Sequence, residues 1–211
     1  MMKRLTILFP MAVAAAALMN GCASPEPRYY TLAADSTNAA TDVVGRDTRT
    51  ERPLWIEVRP VRVPERLNRT QLVVRDGITG GVKLFDSSRW TSPLPDELRD
   101  ALSQQLQSTL DAVDVYQQGL SATRPAFRVT TEVVSLDAEV GRHAAATITW
   151  TVRRLPDGKV LSGRTEAEAP APGQLDGVVQ AYRQILAATA ADIAAGVKSL
   201  VVNDRLRHLE G

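Results

Sequence analysis

The sequence is poor in the residues that make disulfides and metal sites, and it has almost no excess of positive charge. Its 211 residues include one cysteine and two histidines, and its formal net charge is +1. A single cysteine excludes an internal disulfide, and a charge near zero gives no general attraction to nucleic acid. The protein must therefore be stabilised by an apolar core, and the chain is long enough to bury one.

Catalytic and cofactor-binding motifs are also lacking. Neither His143 nor His208 has a further histidine, cysteine or carboxylate at the spacing of metal ligands. The dipeptide Ser162-Gly163 lies in a strand pattern rather than in a nucleophile elbow, and Gly80-Gly81 does not open a helix as a phosphate-binding loop does. We therefore predict that the chain is not an enzyme and takes no cofactor or metal, which is typical of an adaptor, a scaffold or a binding module.

The first part of the chain has the pattern of a lipoprotein signal peptide, which we assign to residues 1–21. Lys3 and Arg4 precede an apolar stretch, Leu5–Leu18, that is shorter than the about 20 residues of a membrane-spanning helix. The sequence Leu-Met-Asn-Gly then leads into Cys22, the position at which a lipoprotein signal peptidase would cleave. The alternative is an ordinary secretory signal followed by a chance cysteine.

Lipidation of Cys22 explains why a secreted protein has one cysteine and no partner for it. It predicts attachment to a membrane through an N-terminal lipid anchor. Ala23 and Ser24 follow the cysteine, whereas an aspartate there favours retention in the inner membrane of enteric-type bacteria. We therefore expect the protein at the periplasmic face of the outer membrane.

The rest of the chain divides into three parts. Residues 22–53 are rich in Ala, Asp, Thr and Ser without a hydrophobic period, which predicts a flexible periplasmic tether. Residues 54–201 carry regular apolar patterns and are predicted to form one folded domain, and residues 202–211 form a polar tail. The apolar segment Tyr29–Leu32 interrupts the tether, and we expect it to pair as an edge strand on the domain or on a neighbour.

Alternation of apolar and polar residues predicts seven strands in the folded domain. An apolar register that switches near Val133-Val134 predicts a β-bulge in the longest of these strands. The predicted strands are Leu54–Arg59, Thr70–Arg75, Val82–Phe85, Val113–Tyr116, Phe127–Val140, Ala144–Arg153 and Val160–Ala169.

Two helices complete the prediction. Leucines recur every four residues from Leu94 to Leu110 after a Ser-Pro start signal, and a second, Ala-rich helix is predicted from Leu175 to about Leu200. Each has one apolar stripe, as expected of a helix that packs on a sheet. The order β-β-β-α-β-β-β-β-α predicts an α+β single domain, with mixed α/β layers and a mixed or antiparallel sheet covered by two helices.

Several segments in order along the chain resemble the PqiC/YmbA-type auxiliary lipoproteins of ABC-type transport. The Trp-Thr-Ser-Pro-Leu segment at residues 90–94, with Leu98-Arg99 after it, is the most specific of them. The resemblance runs from Tyr29 to Val197. It is carried further by residues 29–32, 54–58 and 61–67, the hairpin of residues 144–169 and the closing Ala-rich helix. Arg66 departs from the family, which often has an aromatic residue between the Val-Pro segment and the leucine.

The resemblance implies a non-catalytic accessory component of an ABC/MCE-type (mammalian cell entry domain) intermembrane lipid transport system of the Pqi kind. Such a lipoprotein would sit on the outer membrane and dock an MCE-domain periplasmic protein, and it allows a ring-shaped homo-oligomer. Cys22 would be the lipidation site. Tyr29, Tyr30 and Trp90 are candidate partner contacts, because aromatic side chains are favoured as interface anchors. The alternative for Trp90 is a place in the core beneath the first helix.

Two other functions stay open at this point. A structural or assembly lipoprotein of the cell envelope could have the same anchor and the same α+β domain, because a fold does not fix a function. A tethered hydrolase would need a catalytic serine, aspartate or histidine that the sequence does not reveal.

Overall fold

The computed structural model of the chain describes residues 26–33, 53–77, 79–116, 119 and 124–209, with side chains up to residue 201. The predicted signal peptide, Cys22 and most of the predicted tether lie outside these residues. The described part has eight strands, two α-helices and a short 3-10 helix at Glu65–Leu67. The strands are β1 Arg28–Tyr30, β2 Leu54–Val58, β3 Gln71–Arg75, β4 Val82–Trp90, β5 Ala112–Asp114, β6 Phe127–Glu139, β7 His143–Arg154 and β8 Val160–Pro170.

All eight strands form one mixed sheet, in which β6 is the central strand. One edge of β6 pairs antiparallel with β7, which pairs antiparallel with β8. The other edge pairs in parallel with β2 near residue 127 and with β3 at residue 139. Outside these, β5 adds in parallel to β2, β4 adds antiparallel to β3, and β1 adds in parallel to β4. The predicted α+β fold with a mixed sheet is confirmed.

The predicted bulge in the longest strand is also confirmed. The pairing of β6 with β7 shifts between Val133 and Ser135, so that Val134 has no opposite residue and is exposed. Core-facing residues therefore change from odd positions before the bulge to even positions after it. A second register shift, between Gln71 and Leu72 of β3, divides β4 into a half that pairs with β1 and a half that forms a hairpin with β3.

Helix α1, Leu94–Leu110, and helix α2, Leu175–Leu209, contact each other and cover one face of the sheet. The leucine stripe of α1 is buried as predicted. The inward side chains of the sheet and both helices form one apolar core, which includes Ile56, Val129, Ile148, Ile185 and Ile193. The opposite face of β6 and β8 carries exposed polar and charged side chains and is left open.

Helix α2 continues to Leu209, beyond the end predicted near Leu200. Residues 201–209 contain neither glycine nor proline, so nothing in the sequence stops the helical backbone there. By length and composition alone, Leu175–Val201 could span a membrane, but half of its most apolar window is buried within the domain. The helix owes its apolar character to packing on β7 and β8.

Candidate functional site

The structure brings two of the three candidate contact residues into the core. Tyr30 of β1 lies opposite Trp90 of β4, and the two residues are only 9% and 3% exposed. The indole of Trp90 stacks on the ring of Tyr182 from α2, with centroids 6.3 Å apart. This placement agrees with the alternative that Trp90 belongs to the core beneath the helices. Both rings fix β1 to the domain and offer little surface to a partner.

Tyr29 points to the other side of the sheet. Its side chain is 62% exposed, and its neighbour in the register is Arg89 of β4. Alternation along β1 places Tyr29 on the open face because Tyr30 faces the core. Tyr29 is thus the candidate contact residue that has a surface available to another molecule. Cys22 lies outside the described residues.

A buried carboxylate at the start of α1 holds the segment that follows β1. The side chain of Glu97 accepts hydrogen bonds from the backbone N–H of Leu32 and the hydroxyl of Thr31, both at 2.8 Å to Oε2. Its Oε1 accepts bonds from the Thr91 hydroxyl and from the N–H and hydroxyl of Ser92. One carboxylate therefore links residues 31–32 to residues 91–92. Residues 31–33, Glu97 and Arg183 of α2, whose contacts follow, form a unit that we call the clip.

Helix α2 supplies the second half of the clip. The guanidinium of Arg183 donates from Nη2 to the carbonyl oxygens of Thr31, at 2.9 Å, and Ala33, at 3.3 Å. At the other end of β1, Arg28 lies 3.6 Å from Asp176 in the first turn of α2. The Arg28 pair is exposed and contributes little. The Arg183 contacts are partly buried and join the segment after β1 to α2, as Glu97 joins it to α1.

Burial would oppose ionisation of Glu97, but the hydrogen bonds from Thr91, Leu32, Thr31 and Ser92 outweigh it. The pKa of Glu97 therefore lies below its ordinary value of 4.5. All five donors stabilise the ionised form. The clip is therefore complete at neutral pH.

The clip changes how the predicted tether must be understood. Residues 26–33 lie inside the segment assigned to the tether, yet β1 is a strand of the sheet and its end is fixed by two helices. The expectation that the segment at Tyr29–Leu32 pairs as an edge strand, on the domain or on a neighbour, is met on the domain by Arg28–Tyr30, while Thr31 and Leu32 lie beyond the strand in the clip. Only residues 23–27 lie between Cys22 and β1, and residues 34–52 connect two fixed points of one domain.

The sequence alone did not identify Glu97 or Arg183. Asp96 and Glu97 together have the pattern of acids that stabilise the first turn of a helix. The structure gives Asp96 this role, whereas Glu97 is buried. A weak signal was available, since Glu97 falls on the same apolar stripe as Leu94 and Leu98. A carboxylate on a buried stripe needs a partner.

A second buried polar cluster joins α1 to the ends of β2 and β5. Asp114 is fully buried and accepts bonds from Arg99 Nη2 at 2.5 Å and Ser103 Oγ at 2.7 Å. Its other oxygen accepts bonds from the backbone N–H groups of Val58 and Tyr116. Since every one of these contacts lies within the domain, this cluster holds elements together and presents no free group to a substrate.

The described residues offer no site for a metal, and a cleft beside the clip is small. Within the ranges given above, no three His, Cys, Asp or Glu side chains come close enough to hold a metal ion. A cleft beside the clip, lined by Leu32, Gln104 and Arg183 among others, has a volume of about 40 Å³. That volume accommodates a water molecule or two rather than an acyl chain.

Comparison with known proteins assigns the chain to a family. Residues 30–194, from β1 into α2, match the family described as ABC-type transport auxiliary lipoprotein component. The crystal structure of an uncharacterized protein superimposes with a TM-score of 0.62 at 18% identity, covering 82% of this chain and 99% of that one. A second crystal structure, of a protein from Xanthomonas campestris, gives a TM-score of 0.51 at 16% identity, covering 71% and 90%.

No curated protein matches the sequence. At identities this low, the two crystal structures show a shared fold and nothing more. The family match spans most of the chain, and the segments that carry the sequence resemblance overlap it almost completely. The chain therefore belongs to the family of ABC-type transport auxiliary lipoproteins.

Proposed function

We propose that this chain is an outer-membrane-anchored periplasmic lipoprotein that docks an MCE-domain protein of an intermembrane lipid transport system. It serves that system as a non-catalytic accessory component. The observation that carries the proposal is the family match over residues 30–194. The cleft beside the clip, with a volume of about 40 Å³, is not a lipid-binding cavity.

The anchor in this proposal is a lipidated Cys22. The clip supports it, because a lipid at residue 22 is joined through residues 23–27 to a strand that two helices hold in place. Force on the anchor therefore acts on the core of the domain. A Cys22→Ala variant tests the assignment. We expect it to lose its acyl mass and to leave the membrane fraction, while its circular dichroism spectrum stays that of the wild type.

The docking surface in this proposal includes Tyr29 on the open face of the sheet. An exposed aromatic ring beside polar side chains is suited to act as an interface anchor. We expect Tyr29→Ala to weaken recovery of the partner without lowering the stability of the domain. The same change at Tyr116, another half-exposed tyrosine, near β5, tests whether the loss is specific to Tyr29, and its stability is measured alongside because its ring contacts Arg99.

The experiment that tests the function is crosslinked affinity purification of the lipidated protein from whole envelopes, with mass spectrometry of the eluate. Recovery of an MCE-domain protein supports the transport role. Recovery of only peptidoglycan fragments or outer-membrane assembly proteins would replace it with the alternative, a structural or assembly lipoprotein of the envelope. Native mass spectrometry of the detergent-extracted protein tests whether it forms a ring-shaped homo-oligomer.

A further inference from the structure

The position of β1 limits how far the domain can stand from its anchor. Six Cα–Cα steps separate Cys22 from Arg28, and a fully extended chain covers at most about 3.3–3.6 Å per residue. The start of β1 therefore lies within about 20 Å of the anchored residue. A 30-residue coil would let the domain stand away from the membrane. The short connection of residues 23–27 instead keeps one end of the domain at the membrane surface.

The strand register identifies which end that is. Because β1 is parallel to β4, with Arg28 opposite Ser88, the chain before Arg28 leads in the direction of Val82, where β4 begins. Arg75 of β3 lies opposite Val82, and Glu139 at the end of β6 lies beside Arg75. The β3–β4 hairpin and the β6–β7 turn therefore occupy the end of the sheet toward which the anchor leads.

Two further contacts place other elements at the same end. The β6–β7 turn accepts a hydrogen bond from the N–H of Ala171, just after β8, at the carbonyl of Arg142. The ion pair of Arg28 with Asp176 brings the first turn of α2 beside the start of β1. This end, which we call the anchor end, is a composite of two hairpin turns and a helix start.

The β3–β4 hairpin exposes apolar side chains at the anchor end. Val82 is 56% exposed and Leu84 is 42% exposed, and cross-strand pairing puts both on the open face with the partly buried Val73. The paired segment of β3 from Leu72 to Arg75 is about 10 Å long, since a strand rises about 3.3 Å per residue. From Val82 to Ser87, β4 has no partner strand on its outer edge within the described residues. Exposed apolar residues clustered in this way mark an interaction surface.

We propose that the β3–β4 hairpin docks on the lipid surface that holds the anchor, with Val82 and Leu84 at the level of the headgroups. The inference rests on the proposed lipidation of Cys22. The short connection from Cys22 selects the membrane as the occupant, because it keeps the hairpin within reach of the lipid at all times. The anchor supplies the attachment, and the hairpin orients the sheet.

The charges at the anchor end are consistent with a contact that depends on apolar burial. Arg75 pairs with Asp137 at 3.0 Å, and Arg142 pairs with Glu139 at 2.9 Å. Because these cations have carboxylate neighbours, the surface has no net pull toward anionic headgroups. Lys83 lies over the ring of Phe85 on the other face of the hairpin, opposite buried Val74, and is not part of the contact made by Val82 and Leu84.

The test uses full-length lipidated protein in vesicles of phosphatidylethanolamine and phosphatidylglycerol. Cys22 is the only cysteine, and lipidation consumes its thiol, so a Val82→Cys variant takes an environment-sensitive fluorophore at one position. Val160→Cys is the matched control. Val160 is also an exposed valine on the open face, at 47%, but it lies opposite Arg153 at the far end of the sheet.

We expect the label at Val82 to emit at shorter wavelength, and lipids with brominated chains to quench it several-fold more than the label at Val160. Leu84→Cys should behave as Val82→Cys does. Equal, weak quenching at both ends of the sheet in protein that floats with the vesicles overturns the hairpin contact and leaves the anchor standing. Equal, strong quenching shows a sheet lying flat and also overturns it. Protein that stays in the soluble fraction, with Cys22 open to the label, overturns the proposed anchor and this inference together.

Discussion

At the scale of single residues, Glu97 is the buried carboxylate of α1 and accepts bonds from two chain segments. Its two oxygens serve different segments, with the Leu32 N–H on Oε2 and the Ser92 N–H on Oε1. An ionised carboxylate accepts bonds at both oxygens, whereas an amide accepts at one and donates at the other. No isosteric neutral residue can therefore satisfy both backbone groups.

This asymmetry predicts the effect of Glu97→Gln. The variant leaves either the Leu32 or the Ser92 backbone N–H buried without an acceptor, which lowers the free energy of unfolding by about 1–3 kcal/mol. Urea denaturation measures the loss, and hydrogen exchange at the Leu32 amide localises it. Asp96→Asn, a neighbouring exposed acid in the same turn, should change the stability by less than about 0.5 kcal/mol.

The pH dependence of the same contact has a definite sign. Because the folded pKa of Glu97 lies below its ordinary value of 4.5, its contribution is present above that value and is lost as the pH falls through the folded pKa. We expect the difference in urea midpoint between wild type and Glu97→Gln to shrink on acidification from neutral pH toward about pH 3. A difference that stays constant over this range would show that Glu97 is not ionised in the clip.

Position 163 needs a glycine because the indole of Trp150, on the adjacent strand, occupies the space that a side chain would fill. A Cβ at Gly163 would lie 2.2 Å from Trp150 Cζ2, and the same ring also lies close to Gly196 of α2. We therefore predict that Gly163→Ala destabilises the domain by about 1–3 kcal/mol through overpacking. Ser162→Ala, on the open face beside it, is the control. In a thermal denaturation cycle with Trp150→Leu, the penalty of the alanine should largely disappear.

At the scale of elements, the Arg99–Asp114 pair joins three of them at one point. Asp114 ends β5, Arg99 lies on α1, and the Arg99 Nε donates to the carbonyl of Val58 at the end of β2. Side chains of Arg99 and Asp114 are 7% and 0% exposed, so removing one charge strands the other in the core. A broken buried pair costs far more than an intact one contributes.

Asp114→Asn should therefore lower the free energy of unfolding by about 3–5 kcal/mol. Asp100→Asn is the matched control, because Asp100 accepts from the same guanidinium at 2.7 Å but is 45% exposed. Chemical denaturation of the two variants compares a buried and an exposed partner of one arginine. Equal losses of stability would mean that the buried Asp114 contributes no more to the cluster at the ends of β2 and β5 than the exposed Asp100 does.

Local patterns predicted most of these elements and missed what depends on distant contacts. The strands and helices of residues 54–200 follow from periodicity, and the bulge at Val134 follows from its interruption. Strand β4 was predicted to end at Phe85, because Asp86 and Ser87 break the alternation; the pairing of its last three residues with β1 extends it to Trp90. The bonds of Glu97 join residues 65 and 66 positions apart, which no local pattern encodes.

The candidate contacts show the same limit. The family resemblance makes Tyr29, Tyr30 and Trp90 candidate partner contacts, because aromatic side chains are favoured as interface anchors. An aromatic ring suits a core as well as an interface, and the sequence could not say which face of β1 would be covered. Once β1 pairs with β4, alternation assigns Tyr30 to the core and Tyr29 to the open face.

At the scale of the whole molecule, the clip divides residues 22–53 into two connections with different consequences. Residues 23–27 set the distance between the anchor and the domain, and residues 34–52 join β1 to β2 within it. Both ends of the second connection are held by the domain, Ala33 by the clip and Leu54 by the sheet. Added length there is tolerated thermodynamically, because the free energy of loop closure rises slowly with length.

Two insertions of the same ten-residue Gly/Ser segment test this division. Placed between Pro27 and Arg28, the segment should raise the domain above the membrane by roughly 10–20 Å, the coil dimension of such a linker. Placed between Ala40 and Thr41, it should leave the height unchanged. The measurement is energy transfer from a fluorophore at Val160→Cys to an acceptor in the lipid surface of reconstituted vesicles. If both insertions raise the domain equally, β1 is not fixed to it in the anchored protein, and residues 22–53 act as one continuous tether.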